Sequence, residues 1–209
     1  MFTGIITNVG YLSSLEQRRG TRLVIETKKK MDCMAISDSI SCSGVCLTVI
    51  ENNKDSFTVD VSTETLSKTT IGSWVKGMRI NLESSMTLTS RLGGHLVTGH
   101  VDGLAKILEI EREDNSYRLS VEAPEYLSAF VATNGSICLD GVSLTVNSIN
   151  GRNFCLNLVN YTWNNTTFCD RSVGDNLNME VDLLARYVTR LAETGTVLMS
   201  SLVSPTIKS

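Results

Sequence analysis

Apolar and polar residues alternate along this chain in short runs, and each run ends in turn-forming residues. "RLVIET" (Arg22 to Thr27) and "YRLSVEA" (Tyr117 to Ala123) change character at every step. That period of two predicts half-buried strands. "VCLTVI" and "FTVDVS" are separated by the polar "ENNKDS", a hairpin signal. "VSLTVNSI" is followed by Asn150-Gly151 and then "NFCLNLV". The Asn-Gly pair suits the tight turns that join adjacent antiparallel strands. Short helical pieces are predicted over 64–69 and 124–130. The pattern shifts to a helical period in "DLLARYVTRLAETG", with Leu184, Tyr187, Val188 and Leu191 on one face, ending near Gly195. Its apolar stripe predicts contact either with the chain's own barrel or with another subunit.

The strand pattern occurs twice. "ISCSGVCLTV" (Ile40 to Val49) aligns without a gap on "ICLDGVSLTV" (Ile137 to Val146), at an offset of 97 residues. At the same offset Ser39 matches Ser136, Thr65 matches Thr162, and "VKGMRINLE" (Val75 to Glu83) matches "SVGDNLNME" (Ser172 to Glu180). Nearer the start the offset is 95, with "FTGIITNVGYL" over "VTGHVDGLAKI" and Gly4 over Gly99. The chain therefore reads as two copies of a unit of about 90 residues plus a tail. About six short strands per unit, without long helices, favour closed barrels, because closure removes exposed edges. The expected class is all-β: two similar six-stranded barrels from an internal repeat, plus a C-terminal α-helix. The expected boundaries are 1–88, 95–181 and 182–209, with residues 84–94 as linker.

Composition narrows the function. The 209 residues are 42% hydrophobic, enough for real cores, and the net charge is -3. A slightly acidic chain has no bulk attraction to nucleic acid or to an anionic membrane. The Lys28–Lys30 run is followed by Asp32 and reads as solvated surface. No apolar run approaches the roughly 20 residues that span a bilayer. "MFTGIITNVG" lacks the basic and apolar regions of a signal peptide. The expectation is a cytoplasmic protein whose six cysteines stay reduced. None of those cysteines forms a CxxC pair, and no metal site is expected from them.

Chemistry concentrates in the doubled strand. Residues two apart share a strand face, so Cys46 lies with Thr48, and Ser143 with Thr145, opposite Leu47 and Leu144. Gly44 and Gly141 precede them, where the missing side chain would let backbone approach a planar ligand. Hydroxyls beside backbone amides suit an amide-rich heterocycle such as a pterin or flavin-like ring. The alternative is a barrel wall filled by Cys and Thr. Two copies of one polar pattern argue for two similar sites, or one site made from both halves. "GGHLVTGHVDG" carries His95 and His100, five apart, with no HExxH arrangement for zinc. His100 and Asp102 are candidate proton carriers, and Asp182 is either a site residue or the N-cap of the tail helix. No GxGxxG follows a strand, and no phosphate loop is present, so a nucleotide cofactor is not expected.

"MFTGII", the paired "GVCLTV" and "GVSLTV", "GGHLVTGHVDG" and "NMEVDLLARYV" together resemble the riboflavin synthases of the α-chain type, built from two lumazine-binding repeats. The resemblance runs from Met1 to about Leu191. It implies Greek-key barrels, a homotrimer assembled through the C-terminal helix, and an active site between the N-barrel of one subunit and the C-barrel of the next. The implied reaction is a dismutation without cofactor or metal: two molecules of 6,7-dimethyl-8-ribityllumazine exchange four carbons, giving riboflavin and 5-amino-6-ribitylaminouracil. It also implies association with lumazine synthase. By position, Ser39, Cys46 and His100 resemble the catalytic residues. Thr48, Thr65, Ser143, Thr145, Thr162 and Asp182 resemble the ligand contacts, as do Gly4 and Gly99. Phe2 stands in the start that closes over the site in the family, or else plugs a barrel.

The chain departs from the family pattern at several places. Ser43 stands where the family usually has Asn, Asn134-Gly135 where it has Lys-Gly, and Asn160 where it has proline, followed by Trp163, Asn164 and Asn165. An altered second site is one expectation from these changes. The runner-up function is a non-catalytic lumazine or flavin carrier, like the lumazine proteins of luminous bacteria. Those resemble this chain less, because here "MFTG", the cysteine of "GVCLTV" and both histidines persist.

Overall fold

Alternation in sequence becomes alternation in burial. The strand Thr21–Thr27 buries every second side chain, and Val45, Leu47 and Val49 point inward while Cys46 and Thr48 do not. The computed structural model describes residues 1–17, 20–27 and 34–194. The Lys28–Lys30 run, Cys33, Gly195 and the rest of the tail lie outside the described residues.

The first barrel comprises β1 (Asn8–Gln17), β2 (Thr21–Thr27), β3 (Ser39–Cys42), β4 (Val45–Asn52), β5 (Ser56–Val61) and β6 (Arg79–Ser84), with α1 (Thr63–Lys68) between the last two. The second comprises β7 (Gly103–Glu113), β8 (Ser116–Glu122), β9 (Ser136–Leu139), β10 (Val142–Asn150), β11 (Asn153–Val159) and β12 (Asn176–Val181), with α2 (Asn160–Asn165) in the matching place. Both sheets close. The first runs β1-β2-β5-β4-β3-β6, and the second has the same Greek-key order six strands later. The expected all-β class and the two six-stranded barrels are what the structure shows. The helical piece expected over 124–130 is a 3-10 helix, Glu125–Phe130.

Closing so small a barrel needs sharp bends, and bulges supply them. Register shifts occur at Leu12/Ser14 and Val49/Glu51 in one barrel. Their counterparts are Ile107/Glu109 and Val146/Ser148 in the other. Each barrel fills its own core. Leu23, Ile25, Phe57, Ile80 and Leu82 lead the first, and Leu119, Val121, Phe154, Leu177 and Met179 the second.

Polar bonds, duplicated across the junction, dock the barrels. Asn81 Nδ2 donates to the Asp140 carbonyl (2.9 Å) and its Oδ1 accepts from Thr167 N–H (2.8 Å). Reciprocally, Asn178 Nδ2 donates to the Ser43 carbonyl and its Oδ1 accepts from Thr70 N–H, both at 2.8 Å. Both asparagines are buried. Phe2 and Val97, aligned by the repeat, exchange backbone hydrogen bonds of 2.7 and 3.1 Å, so a pseudo-twofold axis passes between them.

The helix α3 (Leu183–Glu193) follows β12. Asp182 caps it by accepting from Leu184 N–H at 2.8 Å. Asp102 accepts from Val181 N–H and from Arg186, both at 2.9 Å, which latches the first turn to the second barrel. Leu184, Tyr187, Val188 and Leu191 stay more than half exposed, at 71, 63, 66 and 52%. Their stripe does not pack on the chain's own barrel. No helix among the described residues is long and apolar enough to cross a membrane.

Candidate active site

Cys46 and Thr48 sit on the outer face of β4. Across the β3–β4 ladder Ser41 opposes Cys46 and Ser39 opposes Thr48, so four small polar residues share that face. On the far side of β3, Glu83 of β6 opposes Ser41. The second barrel repeats the row: Glu180, Cys138 and Ser143 lie side by side, and Ser136 opposes Thr145. Cys46 and Ser143 are both half-buried. The cysteine and serine of each rung are exchanged between the barrels, a fact that linear comparison of the two strands did not expose.

Gly44 and Gly141 occupy the turns before these strands. Ser43 and Gly44 have φ of 45° and 82°, and Asp140 and Gly141 have 46° and 82°, the left-handed pair that a two-residue hairpin demands. A Cβ on Gly44 would lie 2.7 Å from Gly141 N, and one on Gly141 would lie 2.8 Å from Gly44 N. Thus the glycines approach each other at the barrel junction, which corrects the expectation that they approach a ligand. The departure at Ser43 is absorbed there. Its Oγ accepts from Asn81 N–H (3.2 Å), as Asp140 Oδ1 accepts from Asn178 N–H (2.8 Å). Burial holds the Asp140 carboxyl above its ordinary pKa, and Arg171, 2.6 Å away, offsets only part of that rise.

The segments carrying the aligned Thr-Gly pairs cross between barrels. Gly99 accepts from Cys46 N–H through its carbonyl at 2.8 Å, and Gly4 does the same for Ser143 N–H at 2.8 Å. Their backbones pack so tightly that a Cβ on either would lie 2.6 Å from the facing Cβ, that of Cys46 or of Ser143. The loop from Gly99 carries His100 and Val101 to Cys46. With Thr65, Glu64 and Lys68 from α1 they line a cavity of about 310 Å³. Thr48 turns toward a neighbouring cavity of about 870 Å³, lined also by Thr21, Arg22, Ile50, Asp60 and Ser62. Together they offer the volume range in which small heterocycles bind.

Of the expected site residues, the structure thus gathers Cys46, Thr65, Gly99 and His100 around one cavity, with Thr48 at the next and Ser39 beside it. Ser143 lies against Gly4 at the other end of the junction. Thr145 is exposed two residues along the same face, and Thr162 is half-buried in α2. Asp182 is the helix cap and also acts electrostatically on His95. Phe2 is fully buried in a cluster with Val97 and Cys138, against which Cys46 packs. Asp102, a proton-carrier candidate, is occupied by Arg186 and Val181.

His95 is the residue that sequence reasoning undervalued. Its Nδ1 lies 2.7 Å from Ser143 Oγ, and its backbone N–H donates to the Thr3 carbonyl at 3.2 Å. Burial lowers its pKa, and Asp182 partly opposes that. The signal was present in the doubled histidine of "GGHLVTGH", but a spacing of five on an irregular segment gives no facing partner. Of the departures near α2, Trp163 is structural: it stacks on Tyr117, ring centroids 3.9 Å apart and 9° from parallel. Asn134 takes a left-handed φ of 62° that Asn tolerates.

Comparison with known proteins agrees with this doubled architecture. A family model described as lumazine binding domain matches twice, over residues 3–85 and 98–182. A riboflavin synthase of Brucella abortus is 45% identical over 199 residues, covering 92% of this chain and 98% of that protein. One from Photobacterium phosphoreum is 39% identical, covering 91% and 88%, and one from Bacillus subtilis is 36% identical, covering 91% and 89%. Among solved structures, LumP complexed with riboflavin superposes with a TM-score of 0.80 at 22% identity, covering 87% of this chain and 99% of that one. LumP with 6,7-dimethyl-8-(1'-D-ribityl) lumazine gives 0.78 at 21%, with the same coverage. Those structures share the fold. The sequence relatives, matched over nearly their whole length, carry the assignment further: the chain belongs to the riboflavin synthase family, in its form built from two lumazine-binding repeats.

Proposed function

We propose that this chain catalyses the dismutation of two 6,7-dimethyl-8-ribityllumazine molecules, by four-carbon transfer, to riboflavin and 5-amino-6-ribitylaminouracil. The observation that carries the reading is the doubled but unequal outer row, with Cys46 at a cavity shared with His100 and Ser143 paired with His95. Two similar rows suit two copies of one ligand. Their inequality suits a reaction in which one lumazine gives up a proton from its 7-methyl group and the other accepts a nucleophile at C7. Atoms balance between two substrates and two products, so the exchange draws on no outside oxidant or reductant. Holding the two rings together supplies proximity, worth up to about 7–11 kcal/mol in favourable cases.

In this reading Ser39 and Cys46 stand near the acceptor's C7, where water or the thiol itself adds, and His100 moves the proton. Thr48 and Thr65 contact the ring and ribityl chain on that side, with Gly4 and Gly99 lending backbone. Ser143, Thr145, Thr162 and Asp182 do so on the other side, and Phe2 supports Cys46 from below. Residues of the second barrel other than Gly99–Val101 do not line the Cys46 cavity. A second lumazine brought by a second subunit fits that one-sided lining, and the exposed stripe of α3 supports assembly, with a homotrimer as the proposed state. The proposed setting is the cytoplasm, alongside lumazine synthase.

Purified protein should convert the lumazine to riboflavin with no added cofactor, read from product absorbance. Tight binding of the lumazine with no riboflavin formed would transfer the assignment to a carrier. Cys46→Ser, which copies Ser143, should lower kcat far more than it weakens binding; an unchanged rate would remove the thiol from the chemistry.

A further inference from the structure

We propose that Glu83 and Glu180 are positioning residues that act crosswise, each carboxylate in one barrel setting the reactive strand of the other. Glu180 belongs to β12 of the second barrel. Its Oε1 accepts from Thr98 N–H (2.8 Å) and Thr98 Oγ (2.6 Å), and its Oε2 from Gly99 N–H (2.8 Å). The Thr98–Gly99 segment it holds lies on Cys46 of the first barrel and carries His100 into the cavity. Glu83 does the same in reverse. It accepts from Thr3 N–H (2.7 Å), Thr3 Oγ (2.6 Å) and Gly4 N–H (2.9 Å). That segment lies on Ser143 of the second barrel, and the Thr3 carbonyl accepts from His95 N–H.

Both carboxylates are buried, at 4% and 2% exposure. A buried acid has to be matched by donors, and here every donor comes from the segment delivered to the other barrel. The geometry leaves little slack. Both oxygens are used, so a neutral amide at either position would turn an NH₂ group toward an N–H. The Gly99 and Gly4 carbonyls belong to the same residues whose N–H groups the carboxylates hold, so a loosened clamp frees the cover over Cys46 or over Ser143. Neither glutamate reaches the cavity lining itself. Each acts through the segment it holds.

The kinetic side of this inference rests on the dismutase reading, whereas the thiol side does not. The test uses the full chain, with Thr98→Val and Glu180→Gln set against Thr3→Val and Glu83→Gln. Cys46 is alkylated with iodoacetamide and quantified by peptide mass spectrometry. Losing one hydrogen bond, about 1 kcal/mol, shifts local opening roughly fivefold. Thr98→Val and Glu180→Gln should therefore speed Cys46 alkylation about fivefold. Thr3→Val and Glu83→Gln, though in the same barrel as Cys46 or on the chain leading into it, should leave that rate within about twofold. If lumazine turnover is measurable, the first pair lowers kcat and the second raises KM. Equal effects of both pairs on Cys46, or no effect of either at an unchanged melting temperature, overturn the proposal. If a Gln variant does not fold, the near-isosteric Val pair decides alone, and if wild type shows no turnover, alkylation still decides.

Discussion

Replacing Asn81 with Leu should separate the energy of docking the barrels from the energy of folding each one. Asn81 is fully buried, and its side chain completes two backbone groups of the other barrel, the Asp140 carbonyl and the Thr167 N–H. Leucine keeps the branching of the side chain but puts methyl groups in place of both polar atoms, so both groups are left buried and unpaired. Each costs about 1–3 kcal/mol, so the variant should lose about 2–6 kcal/mol. For a chain of this size, with a urea m-value toward the upper end of about 1–3 kcal/mol/M, that lowers the midpoint by roughly 0.7–2 M. Measurement is by urea denaturation at one fixed protein concentration, since assembly also contributes to apparent stability. The same loss should follow Asn178→Leu, because its two bonds to Ser43 and Thr70 copy the first pair. Midpoints within about 0.2 M of wild type for both variants would refute the reasoning. The junction would then be held by apolar contact, with the asparagines dispensable.

Two further outcomes follow from particular contacts. His95 is held below its ordinary pKa by burial, so the unfolded chain takes up this proton first as pH falls. Its contribution is fully present above the unfolded value near 6.5 and is lost below it, at up to about 1.4 kcal/mol per pH unit. His95→Gln should flatten the stability profile between pH 7.5 and 5.5 relative to wild type, and an identical profile would show that His95 is not the group responsible. A chain ending at Val181 lacks α3 and its apolar stripe; light scattering should report monomers, and a mass still corresponding to a trimer would place the subunit contact elsewhere.

The barrels were legible in the sequence because burial follows period-two alternation, and because the repeat places the same strands twice. Strand identity, the hairpins and the tail helix all follow from local pattern. Lateral neighbours do not. Glu83 and Glu180 were aligned by the repeat, yet a glutamate near a strand end reads as surface until the crossing segment covers it. Gly44 and Gly141 were recognised as places of close approach, but the approaching backbone is the other glycine turn rather than a ring. His95 gained its partner, Ser143, only when folding brought together residues 48 positions apart. What sequence cannot express here is the pseudo-twofold docking, which is set by buried asparagines whose partners lie in the other half of the chain.

That docking also changes what the difference between Cys46 and Ser143 means. Compared along the strand, the first barrel has a thiol and the second lacks one. Compared across the ladder, each rung holds one cysteine and one serine, in opposite order. The outward thiol, Cys46, is half-buried at a cavity with His100. Cys138, in the matching row of the second barrel, is fully buried, and its pKa is pushed well up by burial, then by Glu180, with Glu83 and Asp140 adding to it. A thiol held in its protonated form and sealed behind Phe2 and Val97 is a packing group and cannot serve as a nucleophile. At this rung the two halves therefore carry the same pair of side chains and differ in which one is buried and which is half-buried. On the function proposed above, a dismutation needs two bound copies of one molecule to be treated unequally, and we propose that the exchange of cysteine and serine across a single rung supplies that inequality within two otherwise matching barrels.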